Sequence, residues 1–280
     1  MIRLNTQKRH PNIIVKKWYD LWFRLRQSLT RDVELIDGEL RYRFRCETLR
    51  EYSRCAKMFV KEPGTCEWIK NDLKPGEVFY DIGANIGVYT ILAAKITGTG
   101  GKVFAFEPHS ANFTRLLDNI IVNHLQDIVT PCNIALNDES SFFPFNYLTS
   151  NVGSSSSQLA SLPAASFAKQ EREISELKYS ASIDSLLRTG KFVAPHHVKI
   201  DVDGNELLIL RGMKALLSSP ERPKSIQVEI DKRSRDEIPQ FMESHNYASS
   251  GKHYTRAGLK RIAREGASHE NTFNMIFRLK

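Results

Sequence analysis

Three acidic residues occupy equivalent places in this sequence, each at or next to the end of a short apolar run. Asp81 and Asp201 are the next-to-last residues of two such runs, and Glu107 directly follows a third. Short apolar runs that are rich in β-branched and aromatic residues are typical of buried parallel strands. Because open α/β sheets bind ligands at the carboxyl ends of their strands, we expect the three carboxylates to meet in one cleft. There they can bind hydroxyl or amino groups or accept a proton.

The turn after the first run indicates the ligand. Its pattern is Asp-x-Gly-x-x-x-Gly, which lacks the third glycine of a dinucleotide fingerprint and is followed by no Gly-Lys-Ser/Thr. The acid would repel a pyrophosphate and favours an amino-bearing or cationic ligand. The pattern resembles the first S-adenosylmethionine motif of Rossmann-like methyltransferases, although an ordinary turn of another α/β enzyme is the alternative. We expect free backbone N–H groups here and predict a cofactor site formed by Asp81, Gly83, Ala84, Asn85 and Gly87.

Hydrophobic patterning predicts an α/β fold around that turn. Five parallel strands are expected at Val78–Ile82, Lys102–Pro108, Ile128–Leu136, Val198–Val202 and Lys224–Ile230. Helices are expected at Val88–Ile96, His109–His124 and Ile238–Asn246, with a final strand at Thr272–Leu279. Residues 248–266 show no clear period. Five parallel strands and a terminal pair fit the seven-stranded sheet of the methyltransferases.

Two further residues fit a nucleoside ligand. A carboxylate at the tip of the second strand can accept both ribose hydroxyls, and Glu107 has that position. The alternative for Glu107 is an acid that is stabilised by the amino terminus of the next helix. Ala135, at the end of the third predicted strand, is expected beside the adenine ring.

The sequence around the fourth strand resembles a known family. Lys-Ile-Asp-Val-Asp-Gly-Asn-Glu at 199–206 looks like the signature of the FkbM-type methyltransferases, whose usual Glu is replaced here by Asp203. Residues 60–235 also match the family's other motifs in order: 81–87, Glu107-Pro108, Ala135-Leu136, Asn151-x-Gly153 and 182–186. The resemblance implies a Rossmann-like seven-stranded class I sheet with helices on both faces. It also implies S-adenosylmethionine-dependent O-methylation, often of sugar or natural-product hydroxyls.

Charged residues at 199, 201 and 203 should share one face of the fourth strand. Because alkyl hydroxyls stay protonated at neutral pH, methyl transfer to them is helped by a base, and Asp201 is the candidate. Lys199 would keep this acid ionised or stabilise the developing alkoxide. Glu206 is a third catalytic candidate, with a capping acid as the alternative. The alternative is that Asp201 is not a base and serves only as a structural partner of Lys199.

The acceptor is expected between the serine-rich segment 149–168 and the fifth strand. Asn151 and Ser155 are predicted to contact it from a loop, and Glu229 from the sheet, although serine runs are often only linkers. We assign no metal, because the glycine of Asp-Val-Asp-Gly-Asn falls at position four, whereas a calcium loop needs it at position six.

Composition limits the remaining possibilities. The chain has 280 residues, 41% of them hydrophobic, and four cysteines without Cys-x-x-Cys spacing, which favours reduced thiols and a cytoplasmic protein. We recognise no signal peptide and no apolar run of about 18 residues that could span a membrane. We expect an extension over residues 1–60 and a methyltransferase domain over 61–280.

Positive charge is concentrated at the amino terminus. Residues 1–31 contain eight Lys or Arg and one acid, Asp20, for a net charge of +7, against +8 for the whole chain. From Pro11 onward the segment predicts an amphipathic helix, which either packs on the domain or on a second subunit, or lies on an anionic membrane. Residues 33–45 predict a hairpin with Asp37-Gly38 at its turn.

Three classes of function stay open at this point. A small-molecule, sugar or glycolipid O-methyltransferase is preferred. An RNA or protein methyltransferase is the first rival; no nucleic-acid partner is expected, since the positive charge is confined to the arm. A nucleotide-binding protein without catalysis is the second rival.

Overall fold

The computed structural model describes residues 13–29, 31–155, 157–160, 172–265 and 272–280. The predicted first helical residue, Pro11, and residues 161–168 of the serine-rich segment lie outside this part.

The strands are, in chain order, β1 (Arg31–Asp37), β2 (Leu40–Cys46), β3 (Val78–Ile82), β4 (Lys102–Phe106), β5 (Val129–Cys132), β6 (Ala135–Leu136), β7 (Ser141–Tyr147), β8 (Gln158–Leu159), β9 (Ile174–Ala181), β10 (His197–Ile200), β11 (Ser225–Ile230), β12 (Tyr247–His253) and β13 (Phe273–Leu279). The helices are α1 (Ile13–Leu29), α2 (Leu49–Ala56), α3 (Met58–Lys61), α4 (Pro63–Asp72), α5 (Val88–Thr97), α6 (Ser110–Val122), α7 (Ile183–Arg188), α8 (Glu206–Arg211), α9 (Lys214–Leu217), α10 (Glu237–Ser244) and α11 (Arg256–Glu265).

The main sheet has seven strands in the order β12-β13-β11-β10-β3-β4-β5. The five from β11 to β5 are parallel, whereas β13 runs antiparallel to β11 and β12 antiparallel to β13. The predicted seven-stranded α/β sheet is therefore confirmed. The segment without a clear period, 248–266, contains most of β12 and all of α11.

The third predicted strand was wrong in its extent. Instead of one strand over Ile128–Leu136, β5 ends at Cys132 and β6 belongs to a separate four-stranded sheet with the order β6-β9-β7-β8. Asn133 forms the corner between them: its side chain donates to the carbonyl of Glu107 at 2.7 Å and accepts from Lys178 Nζ at 3.1 Å. These contacts turn the chain away from the main sheet and towards the second one.

Both faces of the main sheet are buried. Adjacent residues of β3 point to opposite faces, so that Phe79 packs in one core and Tyr80 in the other. Helices α4, α5 and α6 cover the Phe79 side, and α8, α9 and α10 cover the Tyr80 side. Burial on both faces explains why the central strands are continuous apolar runs in the sequence.

The predicted hairpin is confirmed, with β1 and β2 joined at Asp37-Gly38. Tyr42 and Phe44 are fully buried in the core that also contains Phe79, while the arginines between them point outward. Asn119 of α6 and Asn123, directly after that helix, accept hydrogen bonds from the backbone N–H groups of Arg45 and Arg43 at 2.8 and 3.0 Å. The hairpin is thus part of the core, and a domain boundary near residue 60 stays a prediction.

A buried polar network closes the amino end of the main sheet, opposite the strand ends with the acids. The Ser225 hydroxyl accepts from Trp68 Nε1 at 2.8 Å and contacts His197 Nδ1 at 2.7 Å. On its other side, His197 Nε2 lies 3.0 Å from Glu77, which also pairs with Lys224. Burial lowers the pKa of His197, so the ring is neutral at pH 7 and the network is satisfied without a second positive charge.

Helix α1 exposes apolar side chains. Trp18, Leu21 and Leu25 are 62%, 57% and 53% exposed. In the described part of the chain, no helix is both long enough and apolar enough to cross a membrane.

Candidate active site

A cleft opens at the carboxyl ends of the central parallel strands. The loops after β3, β4 and β10 and the end of β11 form its floor and sides. Residues 154, 155, 157 and 159 form one wall, and residues 54, 61 and 62, from α2 and the end of α3, contribute another. Of the predicted residues, the lining includes Gly83, Ala84, Asn85, Glu107, Ala135, Ser155, Lys199, Asp201 and Glu229. Asp81, Gly87, Asn151 and Glu206 do not belong to it.

Both glycines of the turn after β3 adopt positive φ angles, +80° at Gly83 and +88° at Gly87. A Cβ atom at Gly83 would overlap the carbonyl oxygen of Asp201, and one at Gly87 would lie 2.5 Å from Leu116 Cδ1. The first glycine therefore allows the turn to touch the loop that carries Asp201. Gly87 allows helix α5 to pack against α6. It therefore faces α6 and does not line the cleft.

The expectation of free N–H groups in this turn was wrong. The carbonyl of Phe106 accepts from the N–H groups of both Gly83 and Ala84 at 3.0 Å, and Glu107 accepts from that of Asn85 at 2.6 Å. The reason is general: donors at the start of a buried helix must be satisfied, and here the next strand satisfies them. The backbone is thus held in shape before any ligand arrives.

Glu107 lies at the end of the cleft where the sequence predicts a nucleoside, which we refer to as the nucleoside end. Its Oε2 accepts from the Asn85 N–H at 2.6 Å and its Oε1 from the His109 N–H at 2.8 Å. Burial raises its pKa to about 7 against the opposing effect of these two hydrogen bonds. Because each carboxylate oxygen can accept two hydrogen bonds, both keep capacity for a further donor.

The serine-rich segment is held against this end of the cleft. The carbonyl of Ser154 accepts from the side-chain amides of Asn85 and Asn112 at 2.7 and 3.1 Å. The Ser154 hydroxyl lies 3.1 Å from His109 Nε2. Asn151 instead points to solvent and bonds to Thr149, so it does not reach the cleft, whereas Ser155 does.

A buried ion cluster lies at the other end of the cleft. Lys199 Nζ is 3.1 Å from Asp201 Oδ2 and 3.5 Å from Asp81 Oδ1, and the lysine is 1% exposed. Asp81 and Lys199 are directly paired in register on neighbouring strands. The Thr90 hydroxyl donates to Asp81 Oδ2 at 2.6 Å. Asp81 therefore lies beneath the cleft, where it contacts Lys199 rather than the space for a ligand.

The charges of this cluster stabilise one another. Burial alone would lower the pKa of Lys199, but the carboxylates of Asp201 and Asp81 raise it, so the ammonium stays charged. Burial disfavours the charged form of Asp201, yet Lys199 keeps the pKa of this carboxyl below its usual value. Burial and the negative charge of Asp201 together raise the pKa of Glu229 well above normal. Asp201 is thus ionised at neutral pH, whereas the surroundings of Glu229 favour its protonated form.

The expected common face of residues 199, 201 and 203 was only partly confirmed. Strand β10 ends at Ile200, and Asp203 has a left-handed φ of 60°, so it belongs to the following loop. Glu206 shapes that loop: its Oε1 accepts from the N–H groups of Val202 and Gly204 at 3.3 and 3.0 Å. Burial raises the pKa of Glu206 to about 7. Its carboxylate bonds to backbone at the start of α8, which is the geometry of the capping alternative.

Several lining residues were not predicted. Arg54, Lys61 and Glu62 reach the cleft from helices α2 to α4, ahead of every motif, and no local pattern marks them. Tyr89 also lines it, with Lys199 Nζ 5.3 Å from the ring centre. Its place one residue into α5, directly after the glycine turn, is a signal that could have identified it.

The acids of the cleft do not form an obvious metal centre. Among the residues with described positions, no group of three or more His, Cys, Asp or Glu side chains has a geometry that could hold a metal ion.

The fold and the cleft together define a class of protein. The arrangement is that of a class I methyltransferase: five parallel strands, an antiparallel strand inserted beside the edge, and a glycine turn next to a strand-end acid. The chain belongs to the FkbM methyltransferase family, because the model of the methyltransferase FkbM domain matches residues 81–249. It is accordingly an S-adenosylmethionine-dependent methyltransferase.

Similar proteins come from archaea and bacteria. The chain is 28% identical over 210 residues to hexuronic acid methyltransferase AglP of Haloferax volcanii, which covers 74% of this chain and 80% of AglP. It is 38% identical over 69 residues to 31-O-demethyl-FK506 methyltransferase FkbM of Streptomyces tacrolimicus, 25% of either chain. The crystal structure of methyltransferase FkbM from Methylobacillus flagellatus superposes with a TM-score of 0.45 at 16% identity, over 72% of this chain and 43% of that one.

Proposed function

We propose that this protein transfers the methyl group of S-adenosylmethionine to a hydroxyl of a sugar, glycan, glycolipid or natural product. The observation that carries the proposal is the buried cluster of Lys199 with Asp81 and Asp201, directly beside the glycine turn after β3. The names of the two relatives, which refer to a hexuronic acid and to 31-O-demethyl-FK506, support an acceptor of this kind.

The nucleoside end would hold the cofactor. In the proposed complex the Glu107 carboxylate accepts hydrogen bonds from the two ribose hydroxyls. Each of its oxygens already accepts one backbone N–H and can accept one more donor. Ala135, 4% exposed at the start of β6, lies beside the adenine, and Gly83 to Asn85 face the methionine part. Asp81 acts from below by neutralising Lys199 and not by touching the cofactor.

The ion cluster would handle the proton that the reaction releases. Bound S-adenosylmethionine supplies an electrophilic methyl group, and the acceptor oxygen must lose its proton as it attacks. Asp201, ionised at neutral pH and 28% exposed at the cleft, accepts that proton. Lys199 keeps Asp201 in position, and Glu229, whose protonated form is favoured by burial, donates a hydrogen bond to a neighbouring oxygen of the acceptor.

The test separates chemistry from cofactor binding. We expect Asp201→Asn to lower turnover by about 10²–10⁴-fold while the Kd for S-adenosylmethionine stays close to normal. Asp127→Asn, at an exposed aspartate outside the cleft lining, is the control and should retain most activity. Normal turnover in Asp201→Asn, or equal losses in both variants, would contradict the assignment of the base.

The acceptor class is tested directly. Purified protein is incubated with methyl-labelled S-adenosylmethionine and a panel of neutral sugars, uronic acids, glycolipids and tRNA, and label transfer is measured. We expect label on a carbohydrate hydroxyl, identified by base-stable attachment. Transfer only to tRNA or to protein would overturn the proposed acceptor.

We further propose that helix α1 places the enzyme on the cytoplasmic face of an anionic membrane. Trp18 and Leu21 are more than half exposed, and the segment 1–31 carries seven net positive charges. Apolar side chains flanked by cations on one helix are suited to the headgroup boundary of anionic lipids.

Vesicle sedimentation tests this placement with the full chain. We expect binding to phosphatidylserine vesicles that weakens with salt and is lost in the double variant Trp18→Glu, Leu21→Glu. Phe23→Glu is the matched control, since Phe23 is also exposed but lies about 140° around the helix from Trp18. Absence of vesicle binding, together with a dimer that the double variant dissociates, would show that the face binds a second copy instead.

A further inference from the structure

Two thiols meet between the hairpin and the helix that borders the cleft. Cys46 is the last residue of β2 and Cys55 lies in the last turn of α2, and their sulfur atoms are 3.8 Å apart. Cys55 is completely buried, whereas Cys46 is partly exposed. A partly exposed thiol in contact with a buried one is the arrangement of a reactive cysteine with its resolving partner.

We propose that Cys46 and Cys55 form a reversible disulfide that changes the cleft through Arg54. Hydrogen peroxide is the oxidant: the Cys46 thiol takes one oxygen atom to become a sulfenic acid and releases one water. The Cys55 thiol then attacks that sulfur, forms the S–S bond and releases a second water. Each thiol loses one hydrogen atom, and the peroxide is reduced to two molecules of water.

The surroundings assign the order of these steps. The hydrogen bond with Cys55 lowers the pKa of Cys46, with help from the nearby guanidinium of Arg115, so that Cys46 has the larger thiolate fraction. Contact with Cys46 and burial raise the pKa of Cys55. Burial also raises the pKa of the other two thiols, to about 12 for Cys66 and about 11 for Cys132. Because the thiolate is the reactive form, oxidation should begin at Cys46.

The helix geometry connects this bond to the cleft. A disulfide requires the sulfurs to approach to about 2.05 Å, so the chain must close a gap of about 1.8 Å. The first turn of α2 is fixed by the capping box of Thr48 and Glu51 and by the ion pair of Glu51 with Arg115, 2.6 Å long. Movement is therefore concentrated in the last turn, where Arg54 Nε donates to the carbonyl of Gly153 at 2.5 Å.

That hydrogen bond holds the segment that closes the nucleoside end. Gly153 directly precedes Ser154, whose carbonyl accepts from Asn85 of the glycine turn. Displacing Arg54 in the oxidised protein loosens this connection, so we expect weaker cofactor binding after oxidation. This consequence rests on the proposed cofactor, whereas formation of the bond does not.

Peptide mapping by mass spectrometry tests the bond. The full chain is treated with increasing peroxide, quenched with an alkylating reagent and digested. We expect a Cys46–Cys55 cross-link, lighter by two hydrogens than the two thiol peptides and reversed by dithiothreitol, before Cys66 or Cys132 is modified. Cys55→Ser should stop at a sulfenic acid on Cys46 that dimedone traps, and Cys66→Ser should behave as the unchanged protein. Oxidation of Cys66 or Cys132 first, or sulfinic acid at Cys46 without the cross-link, would overturn the proposal.

Calorimetry tests the coupling to the cleft. Affinity for S-adenosylhomocysteine is measured on reduced, oxidised and re-reduced protein, and on Cys46→Ser treated in the same way. We expect a several-fold weaker Kd in the oxidised protein, full recovery after reduction and no change in Cys46→Ser. An unchanged Kd in cross-linked protein would overturn the coupling. A protein that cross-links but binds no cofactor even when reduced would instead contradict the proposed function.

Discussion

Replacing Lys199 with methionine should destabilise the protein strongly, because it removes the ammonium that lies between Asp81 and Asp201. Among the described residues, Lys199 Nζ lies within 3.5 Å of a carboxylate oxygen of each. Methionine keeps most of the side-chain volume, so the change tests the charge and not the packing.

The two carboxylates should contribute unequally to the loss. Asp81 is fully buried, so its charge cannot regain water, whereas Asp201 is 28% exposed and can. Leaving one charge of a buried pair without its partner costs about 3–5 kcal/mol. At about 2 °C per kcal/mol for a chain of this size, we expect a decrease in Tm of about 6–10 °C.

Urea and thermal unfolding measure this effect, and a second substitution isolates its origin. Asp81→Asn combined with Lys199→Met should be more stable than Lys199→Met alone, because the amide is neutral and still accepts from Thr90. Lys178→Met is the matched control: Lys178 is 6% exposed, but its partner Glu176 has a 39% exposed side chain, so we expect a loss of about 1–2 kcal/mol. A loss below about 1 kcal/mol for Lys199→Met, or a double variant no more stable than the single one, would refute this reasoning.

Three further results are expected. Gly83→Ala should weaken cofactor binding and turnover together, because its Cβ would overlap the carbonyl of Asp201. Gly190 has a similar φ of +68° and open space around it, so Gly190→Ala should change only stability. Burial raises the pKa of Glu107 to about 7, and ribose hydroxyls bind its ionised form. Calorimetry with 5′-methylthioadenosine should therefore show full affinity above that pH and a decrease of up to about tenfold per pH unit below it. This pH dependence should be absent in Glu107→Gln. Ser225→Ala should lower the free energy of unfolding by about 1–3 kcal/mol without changing cofactor affinity, because two buried rings lose their shared hydroxyl far from the cleft.

The sequence was most informative where structure and ligand site share one local segment. Strands β3 and β4 were predicted within two residues because they are buried on both faces and therefore uniformly apolar. The glycine turn was found for a similar reason, since its φ angles require glycine whatever lies nearby. Its hydrogen bonds were not, because the carbonyl of Phe106 belongs to another strand.

The second sheet was missed because its strands have the opposite character. Phe142 and Leu177 are 65% and 70% exposed, and Pro144 lies inside β7, so neither β7 nor β9 shows the alternation of a half-buried strand. Arg54, Lys61 and Glu62 were missed because only tertiary packing brings their helices to the cleft. Glu206 was identified as important from its motif, but a motif does not show whether a carboxylate faces a ligand or its own backbone.

The two ends of the cleft differ in how much of the chain each one needs. The proposed cofactor end is formed largely by residues 82–136, which lie close together in sequence, whereas the proposed acceptor end combines residues 61–62, 199–205, 229 and 255. During synthesis the first set leaves the ribosome together, and the second is complete only when Thr255 has emerged. One continuous stretch of the chain thus provides most of one end of the cleft, whereas the other end needs segments from both sides of that stretch.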